Sequence, residues 1–176
     1  MKIVCFGDSN TFGYDPRGYF GGRYDHPWPE ILSPKMHCTV INQGENGRII
    51  PKGVVNCPGN ADLLIVMLGT NDLLQGISPE EICSRMERFL KSLDRKEILL
   101  IAPPPMKLGT WVTDQSLIEA AKSLAFCYKI LAKRLGVQFA DASYWNIPIA
   151  YDGVHFTEAG HRDFAEGLAT YLDKGE

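Results

Sequence analysis

Short apolar runs alternate along this chain with longer segments of helical periodicity. This alternation is typical of strand–helix–strand units around a parallel sheet that is covered on both faces. We therefore expect an α/β fold of three layers, α/β/α, with a flavodoxin-like five-stranded parallel sheet in the order 2-1-3-4-5. The five predicted strands are Lys2–Phe6, Thr39–Asn42, Leu63–Leu68, Ile98–Ile101 and Val137–Ala140.

Three segments between or after the strands have the end signals of helices. Ser78 precedes Pro79, and Glu81 follows three residues after Ser78, which predicts a capping box at the start of a helix. A second helix is predicted from about Ser116 to Leu135, with leucines and alanines on one face. A last helix is predicted to start near Thr157.

Two connections are longer than the sheet requires, from Tyr14 to Pro29 and from Pro103 to Thr113. Each follows a predicted strand, so we expect both to overhang the same edge of the sheet, where long loops commonly form binding walls. Tyr14, Trp28 and Trp111 are the candidate substrate contacts in them. The aromatic cluster of the first loop also fits a small core beneath the loop, and Trp28 also fits the start of a helix packed on the sheet.

Size and charge restrict the class of protein. The chain has 176 residues, of which 45% are hydrophobic and 22% charged, so it can bury a conventional core without disulfides. No repeat, linker or low-complexity tract interrupts it, and we expect one domain over residues 1–176. With 18 basic and 21 acidic side chains the net charge is −3, which argues against nucleic acid as a partner.

The distribution of apolar residues and cysteines predicts where the protein resides. The longest apolar run, Leu63 to Leu68, is far shorter than the roughly 20 residues of a membrane-spanning helix. The first strand meets Gly7-Asp8 too early for the apolar region of a signal peptide. Five cysteines, an odd number without a Cys-x-x-Cys pair, are typical of reduced thiols. We expect a cytoplasmic protein that acts without membrane contact.

No metal site or cofactor is expected. The four histidines have no metal-ligand spacing. The glycine-containing turn Gly7 to Gly13 has neither the Rossmann pattern G-x-G-x-x-G nor a Walker lysine. His161 falls in the first turn of the last predicted helix, where we expect an ordinary exposed or half-buried side chain.

Polar residues that can carry chemistry follow the first and third predicted strands. The turn Gly7-Asp8-Ser9-Asn10 would present Ser9 at the amino end of a helix, a position that favours developing negative charge. Ser9 can also be an ordinary cap. Asn71, in Gly69-Thr70-Asn71-Asp72, could donate to an oxyanion at the neighbouring strand end, or form an Asx turn.

A third block lies just before the last helix. Asp152-Gly153-Val154-His155 places a carboxylate three residues before an imidazole, close enough for Asp152 to accept the Nδ1–H of His155. The pair fits a general base and the group that orients it. It also fits a surface turn or half of a metal site, although no third ligand accompanies it.

A glycine block, Asn42 to Arg48, lies between the turn at Ser9 and Asn71. Taken in order over nearly the whole chain, these blocks resemble those of the SGNH hydrolases, which are the superfamily of GDSL-type esterases, lipases and acylhydrolases. The resemblance implies that Ser9 is the nucleophile and that Asp152 and His155 complete a catalytic triad. It also implies that Ser9, Gly47 and Asn71 form the oxyanion hole.

Two positions need comment within this resemblance. The family's spacing from asparagine to glycine points to Gly47, while Gly44 is a second candidate for the oxyanion donor. Asn10 stands where the name-giving leucine of the family usually stands. Because that side chain performs no bond chemistry, the departure concerns substrate preference and not activity.

The resemblance implies a serine esterase that cleaves the carboxylic ester of a small soluble substrate, such as an acetyl ester, through an acyl-enzyme. The same superfamily includes carbohydrate deacetylases, lysophospholipases, thioesterases and acyltransferases, and the residues do not separate these activities. An alternative of another class is a non-catalytic flavodoxin-like module that binds a ligand at the strand ends. The sequence does not indicate an oligomeric state.

Overall fold

The computed structural model describes residues 1–18, 20–53, 55, 60–93 and 97–174, and Cys57 lies outside this range. The elements alternate as the apolar pattern predicts. In chain order they are β1 (Lys2–Gly7), α1 (Ser9–Phe12), β2 (Tyr14–Asp15), β3 (Gly22–Arg23), α2 (Trp28–Lys35), β4 (Thr39–Gly44), β5 (Leu63–Met67), α3 (Thr70–Leu74), α4 (Pro79–Ser92), β6 (Ile98–Ala102), α5 (Gln115–Leu135), β7 (Gln138–Asp141), a 3₁₀ turn (Ala142–Trp145) and α6 (Glu158–Asp173).

The main sheet has five parallel strands in the order β4-β1-β5-β6-β7. In the numbering of the predicted strands this is 2-1-3-4-5, so the predicted fold and strand order are confirmed. The order reverses at β1, and the register places Gly7 beside both Gly44 and Met67. The carboxyl ends of three strands therefore meet at one point, where ligands of such sheets bind.

Alternate residues of the central strands enter two separate cores. From β5, Leu64 and Val66 pack with side chains of α4 and α5, while Ile65 and Met67 pack with side chains of α2 and α6. Successive side chains of a strand point to opposite faces of the sheet, so strands covered on both faces must be apolar throughout. This explains why the five residues of β5 are all buried, and it gives the three layers.

The helix ends follow the predicted signals with one exception. The Ser78 hydroxyl accepts a hydrogen bond from the Glu81 backbone N–H at 3.3 Å, as predicted for a cap of α4. The Glu81 carboxylate, however, accepts from Arg85 at 3.0 Å, so the contact that would complete a capping box is replaced by an ion pair along the helix. At α6, the Thr157 hydroxyl caps the Gly160 N–H at 3.0 Å.

The first long loop contains structure that the sequence pattern does not predict. Tyr14 and Asp15 pair antiparallel with Arg23 and Gly22 in a two-residue ladder. Strands this short have no detectable hydrophobic alternation. Beyond this ladder the loop ends at α2, which begins at Trp28, in agreement with one of the two alternatives that the sequence left open for that residue.

None of the described helices is long and apolar enough to span a bilayer.

Candidate active site

Ser9 lies in a sharp turn from β1 into α1. Asp8 is the N-cap of α1, and its Oδ1 accepts the Asn10 backbone N–H at 3.0 Å. The turn is tight because α1 folds back over Gly7, where a Cβ would lie only 2.0 Å from the Thr11 hydroxyl. This geometry presents the Ser9 hydroxyl at the carboxyl edge of the sheet, and Ser9 remains 6% exposed.

The structure brings Ser9, His155 and Asp152 into one chain of hydrogen bonds. Ser9 Oγ lies 3.0 Å from His155 Nε2, and His155 Nδ1 lies 2.6 Å from Asp152 Oδ2. The three side chains come from positions up to 146 residues apart in sequence and are between 2% and 6% exposed. Because Asp152 holds Nδ1, the proton of the neutral ring sits there and Nε2 is free to accept from the hydroxyl.

The Asp152 carboxylate also organises its own loop. Its Oδ1 accepts the backbone N–H groups of Val154 at 2.9 Å and His155 at 3.0 Å. Burial alone would raise the pKa of Asp152, but these two N–H groups and the His155 ring outweigh it and lower the pKa below its usual range. Asp152 is therefore ionised at neutral pH and can stabilise a positive charge on the ring.

Asn71 occupies the first turn after β5, in α3. Its Nδ2 donates to the carbonyl of Arg48 at 3.0 Å, which ties β5 to the glycine block. The other N–H of this amide has no acceptor among the described residues. Asn71 is thus held in place by one donor and keeps a second for a ligand, consistent with the oxyanion donor that the sequence predicts.

The two candidate glycines differ in what their N–H groups do. The Gly44 N–H donates to Asn42 Oδ1 at 2.8 Å, and a Cβ at Gly44 would meet the Phe12 backbone nitrogen at 2.0 Å. Gly47 has a positive φ of 73° and open space beside it, and within the described chain its N–H is not engaged by any acceptor. Gly44 is thus a packing glycine, and Gly47 has the available donor.

Two of the three candidate substrate contacts lie beside the histidine. The ring centroids of Tyr14 and Trp111 are 4.5 Å and 5.0 Å from that of His155. Trp28 does not belong with them, because it is fully buried in the core between α2 and α6, 4.7 Å from Phe164. Trp28 is therefore not among the side chains that the structure brings together at the site.

Arg48 is a site residue to which the sequence analysis assigns no role. Its guanidinium donates to the carbonyls of Gly7, at 2.9 Å, and Gln43, and it lies 4.1 Å over the Phe6 ring. It also pairs with Glu45 at 2.6 Å. These contacts fix the glycine block over the end of β1. In the sequence, only its position directly after Gly47 indicates that Arg48 holds the glycine block in place.

Two further carboxyl groups, Asp8 and Asp72, are buried behind the site. Burial raises the pKa of Asp8 to about 7, against the opposing effects of the Asn10 N–H and Arg48. Burial also raises the pKa of Asp72, although it accepts the Ile50 N–H and lies near Arg85. Both accept hydrogen bonds from backbone N–H groups, as carboxylates in turns and helix caps do.

His161 differs from its expectation of an exposed or half-buried side chain. It is fully buried, and burial lowers its pKa to about 3, so the ring is neutral. Its Nδ1 accepts the Trp28 backbone N–H at 3.3 Å, and its ring centroid lies 5.3 Å from that of Phe156.

Within the described ranges, no three His, Cys, Asp or Glu side chains are grouped so as to hold a metal ion.

Comparison with known proteins identifies the family. Residues 5–162 match the GDSL-like Lipase/Acylhydrolase family, a range that includes Ser9, Asn71, Asp152 and His155. The chain belongs to this family. The matched range is most of the chain, as the resemblance of the four sequence blocks implies.

Individual relatives of this GDSL-like protein are esterases by name. It is 27% identical over 99 residues to an arylesterase of Vibrio mimicus, an alignment that covers 51% of this chain and 46% of that protein, or about half its length. The structure of the M. smegmatis aryl esterase superposes with a TM-score of 0.81 at 26% identity, covering 98% of each chain. A carbohydrate acetylesterase family member from Sinorhizobium meliloti gives 0.82 at 25% identity, covering 98% of this chain and 97% of that one.

Proposed function

We propose that this protein is a serine hydrolase that cleaves carboxylic esters of small substrates through an acyl-enzyme. The observation that carries the proposal is the chain of hydrogen bonds from Ser9 through His155 to Asp152, at 3.0 and 2.6 Å. A non-catalytic binding module at the same sheet edge has no need of a serine aligned with an oriented imidazole.

In the first half-reaction His155 Nε2 takes the proton of the Ser9 hydroxyl as Oγ bonds to the ester carbonyl carbon. The tetrahedral intermediate then collapses, the bond to the alcohol oxygen breaks, and the alcohol leaves with the proton from Nε2. In the second half-reaction His155 removes a proton from water as the water oxygen bonds to the acyl carbon. The second tetrahedral intermediate then collapses, the bond from the acyl carbon to Ser9 Oγ breaks, Oγ takes the proton back from Nε2, and the acid is released. Asp152 stays ionised throughout and stabilises the imidazolium.

The negative oxygen of both tetrahedral intermediates needs donors that are already in place. We assign the N–H of Ser9, the N–H of Gly47 and the unused amide N–H of Asn71 to this oxyanion hole. The Ser9 N–H is at the start of α1, and among the described residues it has no backbone or side-chain acceptor. Donors that are fixed before reaction supply most of the rate acceleration in such sites.

The surroundings of His155 favour a small ester with an accessible alcohol part. Tyr14 is partly buried and Trp111 is exposed beside the ring, so both can contact a bound substrate. The relatives named as arylesterase and carbohydrate acetylesterase support a short acyl group, such as acetyl, on an aryl or sugar alcohol. The choice between deacetylase, lysophospholipase, thioesterase and acyltransferase depends on the acceptor and acyl length, which a substrate panel decides.

Hydrolysis of p-nitrophenyl acetate together with fluorophosphonate labelling tests the proposal. We expect turnover, and a single modified peptide that contains Ser9. Ser9→Ala is expected to abolish labelling, whereas Ser33→Ala, which removes a 2.7 Å hydrogen bond to the Cys38 carbonyl far from the site, is expected to retain it. A wild-type protein that neither hydrolyses the ester nor reacts with the reagent contradicts the proposal.

A further inference from the structure

Asn10, which replaces the leucine of the family motif, spans from the serine turn to the histidine loop. Its Nδ2 donates to the carbonyl of Val154 at 3.1 Å, and its Oδ1 accepts the N–H of Phe156 at 2.9 Å. These two backbone groups lie immediately before and after His155. Asn10 is 5% exposed, so water does not substitute for either partner.

The two contacts define the orientation of the side chain. An amide carries one acceptor and one donor group, like a peptide unit, and here each group faces the complementary backbone group. A flipped amide would face carbonyl to carbonyl, so the assignment of Oδ1 and Nδ2 is unambiguous. The Asn10 backbone is held in turn, because its N–H donates to Asp8 Oδ1 at 3.0 Å.

The other backbone groups around His155 are held by its own loop. Asp152 Oδ1 accepts the N–H groups of Val154 and His155, and the His155 carbonyl accepts the Ala150 N–H at 2.7 Å. Those contacts shape the loop, but none of them reaches the element that carries Ser9. In the part of the chain that the structure describes, the hydrogen bonds of the Asn10 side chain join the backbone of the histidine loop directly to α1.

We propose that Asn10 is a positioning residue that sets the separation of Ser9 Oγ and His155 Nε2. This inference rests on the proposed function, because it concerns the same serine and histidine. It departs from the expectation that the residue at this position concerns substrate preference and not activity, because that expectation did not include the two backbone hydrogen bonds. The side-chain hydrogen bonds of Asn10 go to the backbone on both sides of His155 and not to its ring, so Asn10 acts by fixing that backbone relative to the helix that begins at Ser9. A leucine at this position leaves both backbone groups unpaired and the loop free to shift.

The test compares Asn10→Leu with wild type on p-nitrophenyl acetate. A small misplacement of a proton-transfer pair is costly, so we expect kcat to fall roughly 10- to 100-fold. KM is expected to change by less than about twofold, because no substrate contact is lost. The rate of fluorophosphonate labelling of Ser9 is expected to fall in parallel. Ser33→Ala serves as the control for loss of a remote side-chain hydrogen bond and is expected to match wild type.

A double-mutant cycle separates positioning from general structural damage. In a His155→Ala background there is no base to position, so Asn10→Leu is expected to have no further effect on the residual hydrolysis rate. An equal fall in both backgrounds would overturn the proposal, since Asn10 would then act on the serine turn or on the fold. Unchanged kcat and labelling in Asn10→Leu alone would also overturn it.

Asn10→Asp is the second variant in case the leucine variant does not fold. It keeps the shape and the acceptor for the Phe156 N–H, but it loses the donor to the Val154 carbonyl. We expect Asn10→Asp to lower kcat when His155 is present and to have no effect in the His155→Ala background. An equal fall in both backgrounds contradicts the inference. A wild-type protein without activity or labelling removes the proposed function itself, whereas an active wild type with an equally active variant removes only the inference.

Discussion

The proposed oxyanion hole can be tested at a single residue, Asn71. One N–H is used on the Arg48 carbonyl, and the other faces no acceptor in the described chain. We expect Asn71→Ala to lower kcat on a small aryl ester by on the order of 10²–10³-fold, the usual loss for one oxyanion donor. Asn60→Ala, which removes a contact to Lys2 at the opposite end of β1, is the control. Unchanged kcat in Asn71→Ala would remove the residue from the oxyanion hole.

Trp111 and Trp28 provide a second comparison between single residues. Trp111 is 54% exposed beside His155, whereas Trp28 is fully buried. We expect Trp111→Ala to raise KM several-fold and to change the free energy of unfolding by less than about 0.5 kcal/mol. Trp28→Ala is expected to lower that free energy by about 3–5 kcal/mol, measured by urea denaturation. If the two effects are exchanged, the assignment of Trp111 as a substrate contact is wrong.

The same pair shows where sequence reasoning reaches its limit at single residues. Both tryptophans follow glycine or proline-rich stretches, and loop composition does not reveal which ring points inward. Ser9, Asp152 and His155 could be predicted because their residue types and order resemble a family. Arg48 could not, since its function depends on reaching the Gly7 carbonyl across 41 positions of sequence.

Among the elements, the contact between the loop after β6 and the histidine loop can be tested through Gly153. Its φ is 85°, its carbonyl accepts the Lys107 N–H at 2.9 Å, and a Cβ would lie 2.1 Å from the Lys107 oxygen. We expect Gly153→Ala to lower the free energy of unfolding by about 2 kcal/mol or more and to reduce kcat, because the loop that carries His155 must move.

Gly136→Ala is the matched control for this prediction. Gly136 ends α5 in the same left-handed region, at φ 69°, but a Cβ added there would meet no atom within 4 Å. It therefore bears only the conformational cost, about 1 kcal/mol, and activity is expected to stay at the wild-type level. Equal kcat values for the two glycine variants would show that contact between the loops does not support the site.

Helices and strands can be predicted from the sequence where the hydrophobic pattern extends over many residues, and not where it covers only two or three. The central strands β5 and β6 are apolar throughout because both of their faces are covered, and α4 and α5 are long enough to show an apolar stripe. The helix that begins at Ser9 is predicted from the turn Gly7-Asp8-Ser9-Asn10. The pairing of β2 with β3 depends on contacts within the loop instead, such as the hydrogen bond from the Tyr24 N–H to the Gly13 carbonyl at 2.8 Å.

In the whole molecule, the strand order brings together the turns that form the candidate site. Because β1 lies between β4 and β5, the turns that carry Ser9, Gly47 and Asn71 meet at one point. The block Asp152 to His155 reaches this point by a different path. It follows β7, at the far edge of the sheet, and the loop before α6 brings His155 back to the end of β1. The strand order could be predicted from the fold class. The position of His155 near the end of β1 could be inferred only from the family resemblance.

The pH dependence of global stability tests the burial of Asp8. Its folded pKa of about 7 lies above the ordinary value of 3.8, so the folded state binds the proton more tightly. The resulting stabilisation is complete below pH 4 and is lost as the pH rises to about 7. Asn at this position cannot ionise and keeps the acceptor for the Asn10 N–H.

We therefore expect the free energy of unfolding of Asp8→Asn, minus that of wild type, to increase between pH 4 and 7 and then to level off. Each unit of pKa difference corresponds to about 1.4 kcal/mol, so the increase is at most a few kcal/mol. Urea denaturation at several pH values measures it, with Ser33→Ala as the control that changes no charge. A difference that is flat across this range would mean that the Asp8 carboxyl is solvated, and that the turn presenting Ser9 is more open than the structure shows.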